Sequence, residues 1–165
     1  KHIDADFKLV MLDYDRAELE KMLIEIGDPS LIDHIVLTGY VVNTDLPAIY
    51  RQCRTFLYPS LRESFGIPML EAMACGVPVI TSNTSSMPEV AGKAAVIINP
   101  FKPEEITGAM ISLYHKENLR LQLVEAGLQQ AAKFSWNAMA KDVLGIYKEL
   151  YTELKQNVSI KYLPA

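Results

Sequence analysis

Five largely apolar runs of strand length, at residues 7–12, 34–38, 55–58, 78–81 and 94–98, alternate with segments of helical character, and nothing else in the chain constrains its fold as tightly. A strand open to water on one face alternates apolar and polar residues, whereas a continuous run fits a strand covered on both faces. Strands separated by helices of about ten residues build βαβ units, so the expected architecture is α/β, a doubly wound parallel sheet with helices on both faces. The helix punctuation agrees. Asp15 caps a helix to Gly27 with Glu18 as its capping-box partner, and Asp45 caps a second helix to about Cys53. Pro68 suits the first turn of a short helix closed by Gly76 in the left-handed region. Pro103 opens a helix to about Lys116, more helix follows to about Lys133, and Ser135 caps a last long helix to about Lys155. In such sheets ligands lie at the carboxyl ends of the strands, beside helix amino termini. That selects the loops 13–15, 39–44, 59–67 and 82–89.

The 165 residues are the size of one domain, and half of them are apolar, enough for a core. Sixteen basic and twenty acidic residues give a net charge of −4 without a Lys/Arg cluster, which argues against a nucleic-acid surface. No apolar run approaches the ~20 residues of a membrane span. Cys53 and Cys75 lack metal-ligand spacing and read as reduced core thiols of a cytoplasmic protein. His2, His34 and His115 are assigned no role. The opening KHIDADFK is not a signal peptide and has no initiator Met, so the chain reads as a piece of a longer protein.

The densest functional signal is residues 58–81, YPSLRESFGIPMLEAMACGVPVIT. Glu63 and Glu71 stand eight positions apart around Phe65-Gly66-Ile67-Pro68. A helix beginning near Ile67 or Pro68 presents N–H groups without internal acceptors, together with a partial positive charge, and suits a diphosphate. Glu71, about one turn in, repels phosphate but can accept hydrogen bonds from two adjacent hydroxyls, as a ribose offers. Glu63, on the preceding loop, is placed to reach hydroxyls further out. Phosphate on the backbone and carboxylates on sugar hydroxyls together suggest a nucleotide sugar. Each acid also has a plainer reading. Glu71, in a helix otherwise apolar on every side, offsets the helix dipole or pairs with a buried arginine. Glu63 alone is a solvated loop charge. Ser86-Met87-Pro88-Glu89 reads as a turn and helix cap without a ligand, with Ser85, Ser86 and Glu89 as the polar candidates there.

This segment resembles the Glu-x7-Glu signature of retaining glycosyltransferases of the GT-B architecture, the glycosyltransferase group 1 family that includes glycogen-synthase-like enzymes. Pro59, Ser60, Glu63, Phe65, Gly66, Glu71, Ala72, Met73, Ala74, Gly76, Pro78 and Val79 all match. Gly39-Tyr40-Val41 with Asp45-Leu46-Pro47, Met87-Pro88-Glu89-Val90 with Gly92 and Ala94-Ala95, and Phe134-Ser135-Trp136 are similar to neighbouring segments of that family. The resemblance covers roughly residues 7–155, the C-terminal, donor-binding half of such an enzyme. It implies a Rossmann-like sheet and transfer of a hexose, with retention, from a nucleoside diphosphate sugar to an acceptor. That acceptor would be held by an N-terminal domain outside this chain, and any peripheral membrane contact would also come from outside it. No metal or other cofactor is implied beyond the donor itself. Glu71 would hold the donor ribose. Glu63 would be the catalytic-site carboxylate and, with the backbone of Phe65, Gly66 and Ile67, contact the transferred sugar. Main-chain groups around Tyr40 and Val41 would flank the base. The side chains of Phe65, Met73 and Val79 read as packing, and the isolated piece is expected to be inactive.

Two features depart from the family. The family's basic first strand has no counterpart in residues 1–8, and the run 7–12 leads into Asp13-Tyr14-Asp15 rather than a glycine-rich turn. They leave open a catalytically inactive nucleotide-binding or regulatory module of the same fold. An epimerase of similar architecture would need further acid/base groups, which the sequence does not offer. The nucleotide-sugar domain is expected over residues 1–156, with 157–165 as a tail. In a sheet ordered 3-2-1-4-5-6 the absent strand is central. Its slot is expected to be filled by residues 158–162 as a strand, or by pairing with a second copy of the chain.

Overall fold

The computed structural model of the protein describes residues 7–161. Within each expected run a short strand forms: β1 (Leu9–Met11), β2 (Ile35–Leu37), β3 (Phe56–Tyr58), β4 (Val79–Ser82) and β5 (Ala95–Ile98). The helices are α1 (Arg16–Ile26), α2 (Leu46–Gln52), α3 (Ile67–Ala74), α4 (Met87–Ala91), α5 (Pro103–His115), α6 (Glu117–Ala131) and α7 (Trp136–Lys161), with a 3-10 segment at Pro29–His34 before β2. Every strand pair is parallel, and the helices cover both sides, so the fold is the Rossmann-like α/β arrangement expected from the pattern.

The core explains the pattern. Val79 packs with Met69, Met73, Met87 and Val90 beneath α3 and α4. Its neighbour Ile80 packs with Ile98, Ala109, Leu113 and Leu123 beneath α5 and α6. Successive residues of a strand point to opposite faces, so β4 is buried at each position: Val79 and Ile80 feed the two cores, and the hydroxyls of Thr81 and Ser82 donate to the Tyr58 and Ser60 carbonyls.

The strands fall into two sheets, β1-β2 and β3-β4-β5. β1 and β3 do not pair, so each keeps one edge without a strand neighbour among the described residues. The break falls where strand 1 of a 3-2-1-4-5-6 sheet would lie. The smaller sheet is thinly covered: Leu9, Val10 and Val36 are all exposed. The tail does not enter this slot as a strand. Val158 to Lys161 continue α7 as helix, while Tyr162 lies outside the described residues. The helix beyond residue 155, less than two turns, extends a sequence that is apolar along one side and polar along the other, and that periodicity outweighs the short alternation read at its end. α7 also passes without a break through the expected boundary after residue 156.

Several helix starts follow the sequence. The Asp15 carboxylate accepts the Glu18 N–H at 2.9 Å, and the Ser135 hydroxyl accepts the Ala138 N–H at 3.0 Å. Asp45 differs: it stands at the N-cap of α2 in helical conformation, and its side chain makes no capping bond. Pro47 in the first turn supplies the fixed φ that starts this helix. Among the described residues no helix is long and apolar enough to cross a membrane.

Candidate functional site

Residues 59–66 join the carboxyl end of β3 to the amino end of α3. Tyr58 closes β3, and the period of the strand puts its ring on the same face as Phe56. The two rings stack with centroids 5.6 Å apart, and Tyr50 of α2 meets Phe56 edge-on at 5.3 Å. This aromatic row ends in two hydroxyls, and each faces one of the acids. The Tyr58 hydroxyl donates to Oε1 of Glu63 at 2.7 Å, and the Ser60 hydroxyl donates to the same oxygen at 2.8 Å. The Tyr50 hydroxyl lies 3.4 Å from Oε2 of Glu71, a long contact.

The electrostatics follow this geometry. The Tyr58 hydrogen bond, then that of Ser60, holds the Glu63 carboxyl below its ordinary value, against a smaller opposing effect of burial. Burial, then the bond to Glu63, pushes the Tyr58 phenol up. Burial, then the charge of Glu71, pushes Tyr50 up to about 12.

Hydroxyls from the end of β4 and the loop after it fix the backbone that carries Glu63. Ser82 and Thr84 donate to the Ser60 carbonyl. Ser85 and Ser86 donate to the Glu63 carbonyl at 2.6 and 3.1 Å, and Ser86 also reaches the Phe65 carbonyl at 3.2 Å. Ser85 adopts φ 54°, a conformation that is costly for a side chain with a Cβ and persists only where its surroundings hold it. Ser86 stands at the N-cap of α4, as the sequence suggests, and its carbonyl accepts the Val90 N–H at 3.0 Å. Its side chain makes no capping bond, because the hydroxyl is used by the Glu63 loop.

Gly66 is the N-cap of α3 with φ 95°. That conformation calls for glycine, and a Cβ there would also lie 2.7 Å from Cε at the flexible end of the buried Met87 side chain. No side chain caps the amino end of α3. Gly66 is itself buried, whereas Phe65 and Ile67 on either side are exposed. Phe65 is half-way to a packing residue, its ring edge-on to Phe134 at 5.5 Å, while Met73 and Val79 are wholly buried.

Glu71 does not sit in a helix enclosed on all sides. α3 buries Met69, Leu70, Ala72 and Met73, and leaves Ile67, Glu71 and Ala74 exposed along one edge. The spacing 67, 71, 74 is that of a helix face, so one side of this apolar helix is open and Glu71 lies on it. Among the described residues no ion pair involves Glu63 or Glu71, so no arginine there pairs with Glu71.

Tyr40 is 77% exposed and Val41 half-buried, on the loop after β2. The Gly39 carbonyl accepts the Asp13 N–H at 3.0 Å, which ties this loop to the one after β1. Among the described residues no hydrogen bond or ring contact joins Tyr40 or Val41 to Glu63 or Glu71. A crevice lined by Phe7, Arg54, Thr55, Met110, Leu113 and Tyr114 lies at the opposite, amino-terminal end of the strands, away from both acids.

The sequence reading missed the roles of Tyr58, Ser60 and Tyr50. For Tyr58 and Ser60 the available signal was a pair of hydroxyl residues three and five positions before Glu63, on the strand end that delivers the loop. Tyr50 gave no local signal, since it is 21 positions from the acid that it faces.

A parallel sheet with helices on both faces and a loop and helix start at its carboxyl end is the arrangement of Rossmann-like α/β domains, in which ligands lie at that end of the strands. Residues 1–130 match glycosyl transferases group 1, and the chain belongs to that family. O-antigen chain mannosyltransferase B of Escherichia coli is 42% identical over 112 residues, 68% of this chain and 29% of that protein. The fold is similar to that of sucrose-phosphate synthase from Thermosynechococcus elongatus, with a TM-score of 0.77 and 22% identity over 88% of this chain and 39% of that one. It is equally similar to Anabaena HepE solved in complex with UDP and glucose, with a TM-score of 0.77 and 15% identity over 89% of this chain and 42% of that one. The chain thus spans less than half the length of each of these relatives.

Proposed function

We propose that this chain is the donor-binding half of an enzyme that transfers a hexose, with retention, from a nucleoside diphosphate sugar to an acceptor. The observation that carries this reading is the placement of Glu71. It stands on the open edge of α3, one turn from an amino end that no side chain caps, with the Glu63 loop alongside. In this reading the diphosphate lies at the backbone of Gly66 and Ile67, where unpaired N–H groups and the helix dipole favour negative charge. Glu71 accepts hydrogen bonds from the ribose hydroxyls. Glu63, with the backbone from Phe65 to Ile67, faces the transferred sugar, and the main chain around Tyr40 and Val41 flanks the base.

The similarity to a protein named a mannosyltransferase, and to one solved with UDP and glucose, supports a hexose on a nucleotide. The protein's task is positioning and charge stabilisation, with the leaving phosphate helping to deprotonate the acceptor and without a metal or further cofactor. The acceptor would be held by a domain outside this chain, and the chain alone would not turn over. Two free thiols, Cys53 and Cys75, fit a reducing cytoplasm.

The test is calorimetry on the full-length protein with a panel of nucleoside diphosphate sugars. Glu71→Ala should weaken donor binding by ~1–3 kcal/mol, the cost of leaving polar partners unpaired. Unchanged affinity would sink the assignment. A second reading, an inactive nucleotide-binding module, draws on Asp13 and Asp15, which bring negative charge to the carboxyl end of β1. Donor binding without sugar transfer by the full-length protein would favour it.

A further inference from the structure

We infer that Tyr58 is a positioning residue for Glu63: with Ser60 it holds one carboxylate oxygen so that the other is presented to the ligand. The inference rests on the donor-binding reading and deepens it by naming what orients its catalytic-site acid.

Both hydroxyls donate to Oε1, at 2.7 and 2.8 Å, and among the described residues nothing donates to Oε2. A carboxylate with one oxygen doubly engaged keeps its rotamer and its charge, and offers the second oxygen as the acceptor. The donor side is itself rigid. Tyr58 ends a strand, its ring is stacked on Phe56, and Phe56 is braced by Tyr50, which is 5% exposed. The acceptor side is held by Ser85 and Ser86 on the Glu63 carbonyl. Tyr58 also lies beside Gly66: a Cβ on that glycine would come within 3.8 Å of the tyrosine ring. One ring thus abuts the turn at the start of α3 and fixes the acid on the loop before it. Glu71 is treated differently, since the one tyrosine hydrogen bond to it among the described residues is 3.4 Å long. Glu63 is preorganised, and Glu71 is left free to adapt. Fixed donors and acceptors cost no reorganisation when the ligand arrives.

The experiment uses the full-length protein with UDP-glucose and GDP-mannose as donors, and compares Tyr58→Phe, Ser60→Ala and Glu63→Gln. Phenylalanine keeps the ring stack and removes only the donated hydrogen bond. We expect Tyr58→Phe to lower kcat about tenfold, to leave donor Kd within about twofold, and to move the acid limb of the pH–rate profile to higher pH; one lost charge-assisted bond corresponds to a change of this order. Carbon-13 NMR of the Glu63 carboxyl should show its pKa rising in the same variant, a readout independent of turnover. Ser60→Ala should move both quantities in the same direction, and it decides the matter if Tyr58→Phe fails to fold. If Glu63→Gln loses activity while Tyr58→Phe and Ser60→Ala keep the wild-type rate, acid limb and carboxyl pKa, the positioning role is overturned and the donor-binding reading stands. If Glu63→Gln alters neither rate nor donor affinity, both fall together.

Discussion

The Tyr58 hydroxyl lies 2.7 Å from Oε1 of Glu63, and these residues stand on different kinds of structure, one on a strand end and the other on a loop. Their hydrogen bond transmits the rigidity of the sheet to a side chain that would otherwise sample several rotamers. It also makes both groups sensitive to pH in opposite ranges.

On the acid side, the folded state holds the Glu63 carboxyl below its ordinary value of 4.5. A depressed carboxyl contributes stability that is present above its unfolded pKa and is lost as pH falls through the folded one. The urea midpoint should therefore drop below about pH 4.5, and the Glu63 part of that drop should vanish in Glu63→Gln. A midpoint whose acid dependence is identical in the variant would contradict this.

On the alkaline side, Tyr50 is raised from 10.0 to about 12 by burial and by Glu71. Its contribution is complete below pH 10.0 and disappears as pH rises towards about 12. Tyr50→Phe should flatten the stability profile above pH 10.0, measured by urea denaturation at a series of pH values.

Gly66→Ala places a Cβ at φ 95° and 2.7 Å from Met87 Cε. The expected loss is about 1–3 kcal/mol from the backbone conformation, to which a shift of the flexible end of Met87 adds less. A chemical denaturation curve superimposable on that of the parent would show that the α3 start tolerates a side chain.

Gln130 of α6 is buried and donates its amide N–H to the Val90 carbonyl at 2.8 Å, while Lys133 donates to its Oε1 at 2.8 Å. Val90 lies at the end of α4, where carbonyls have no partner within the helix. Gln130→Leu keeps the volume and strands that carbonyl, at an expected cost of about 1–3 kcal/mol. Lys133→Ala should cost no more than about 0.5 kcal/mol, as for an outlying surface contact. Equal effects of the two changes would mean that the Val90 bond is not what matters.

Met73→Ala empties a site that is wholly buried between α3 and α6, where Gly127 lets the two helices approach. A cavity of this kind costs about 2–5 kcal/mol, to be read from the shift in the denaturation midpoint at constant slope.

Much of this protein could be read from local pattern. The continuous runs at 78–81 and 94–98 announce strands covered on both faces, and β4 and β5 form there because each feeds two cores. Asp15 and Ser135 announce helix starts because a cap needs only the residue and an N–H three positions on. The motif from Pro59 to Val79 indicated the family because it compresses strand, loop and helix into one stretch. Long-range placement was not legible. Which edge of α3 stays open depends on what α2, α4 and α6 cover, so the exposure of Glu71 had to come from the packed molecule. Ser85 and Ser86 bond to a loop 22 and 23 positions away, whereas local chemistry showed only the place of Ser86 at the start of α4. The end of α7 read as an alternating segment because four residues fit either period, whereas the helix already running through 136–157 had only to be prolonged. Periodicity and capping act over a few residues and so are written in the chain itself. The direction in which an acid points, and the hydroxyls that hold it, are set by contacts between segments that only folding brings together.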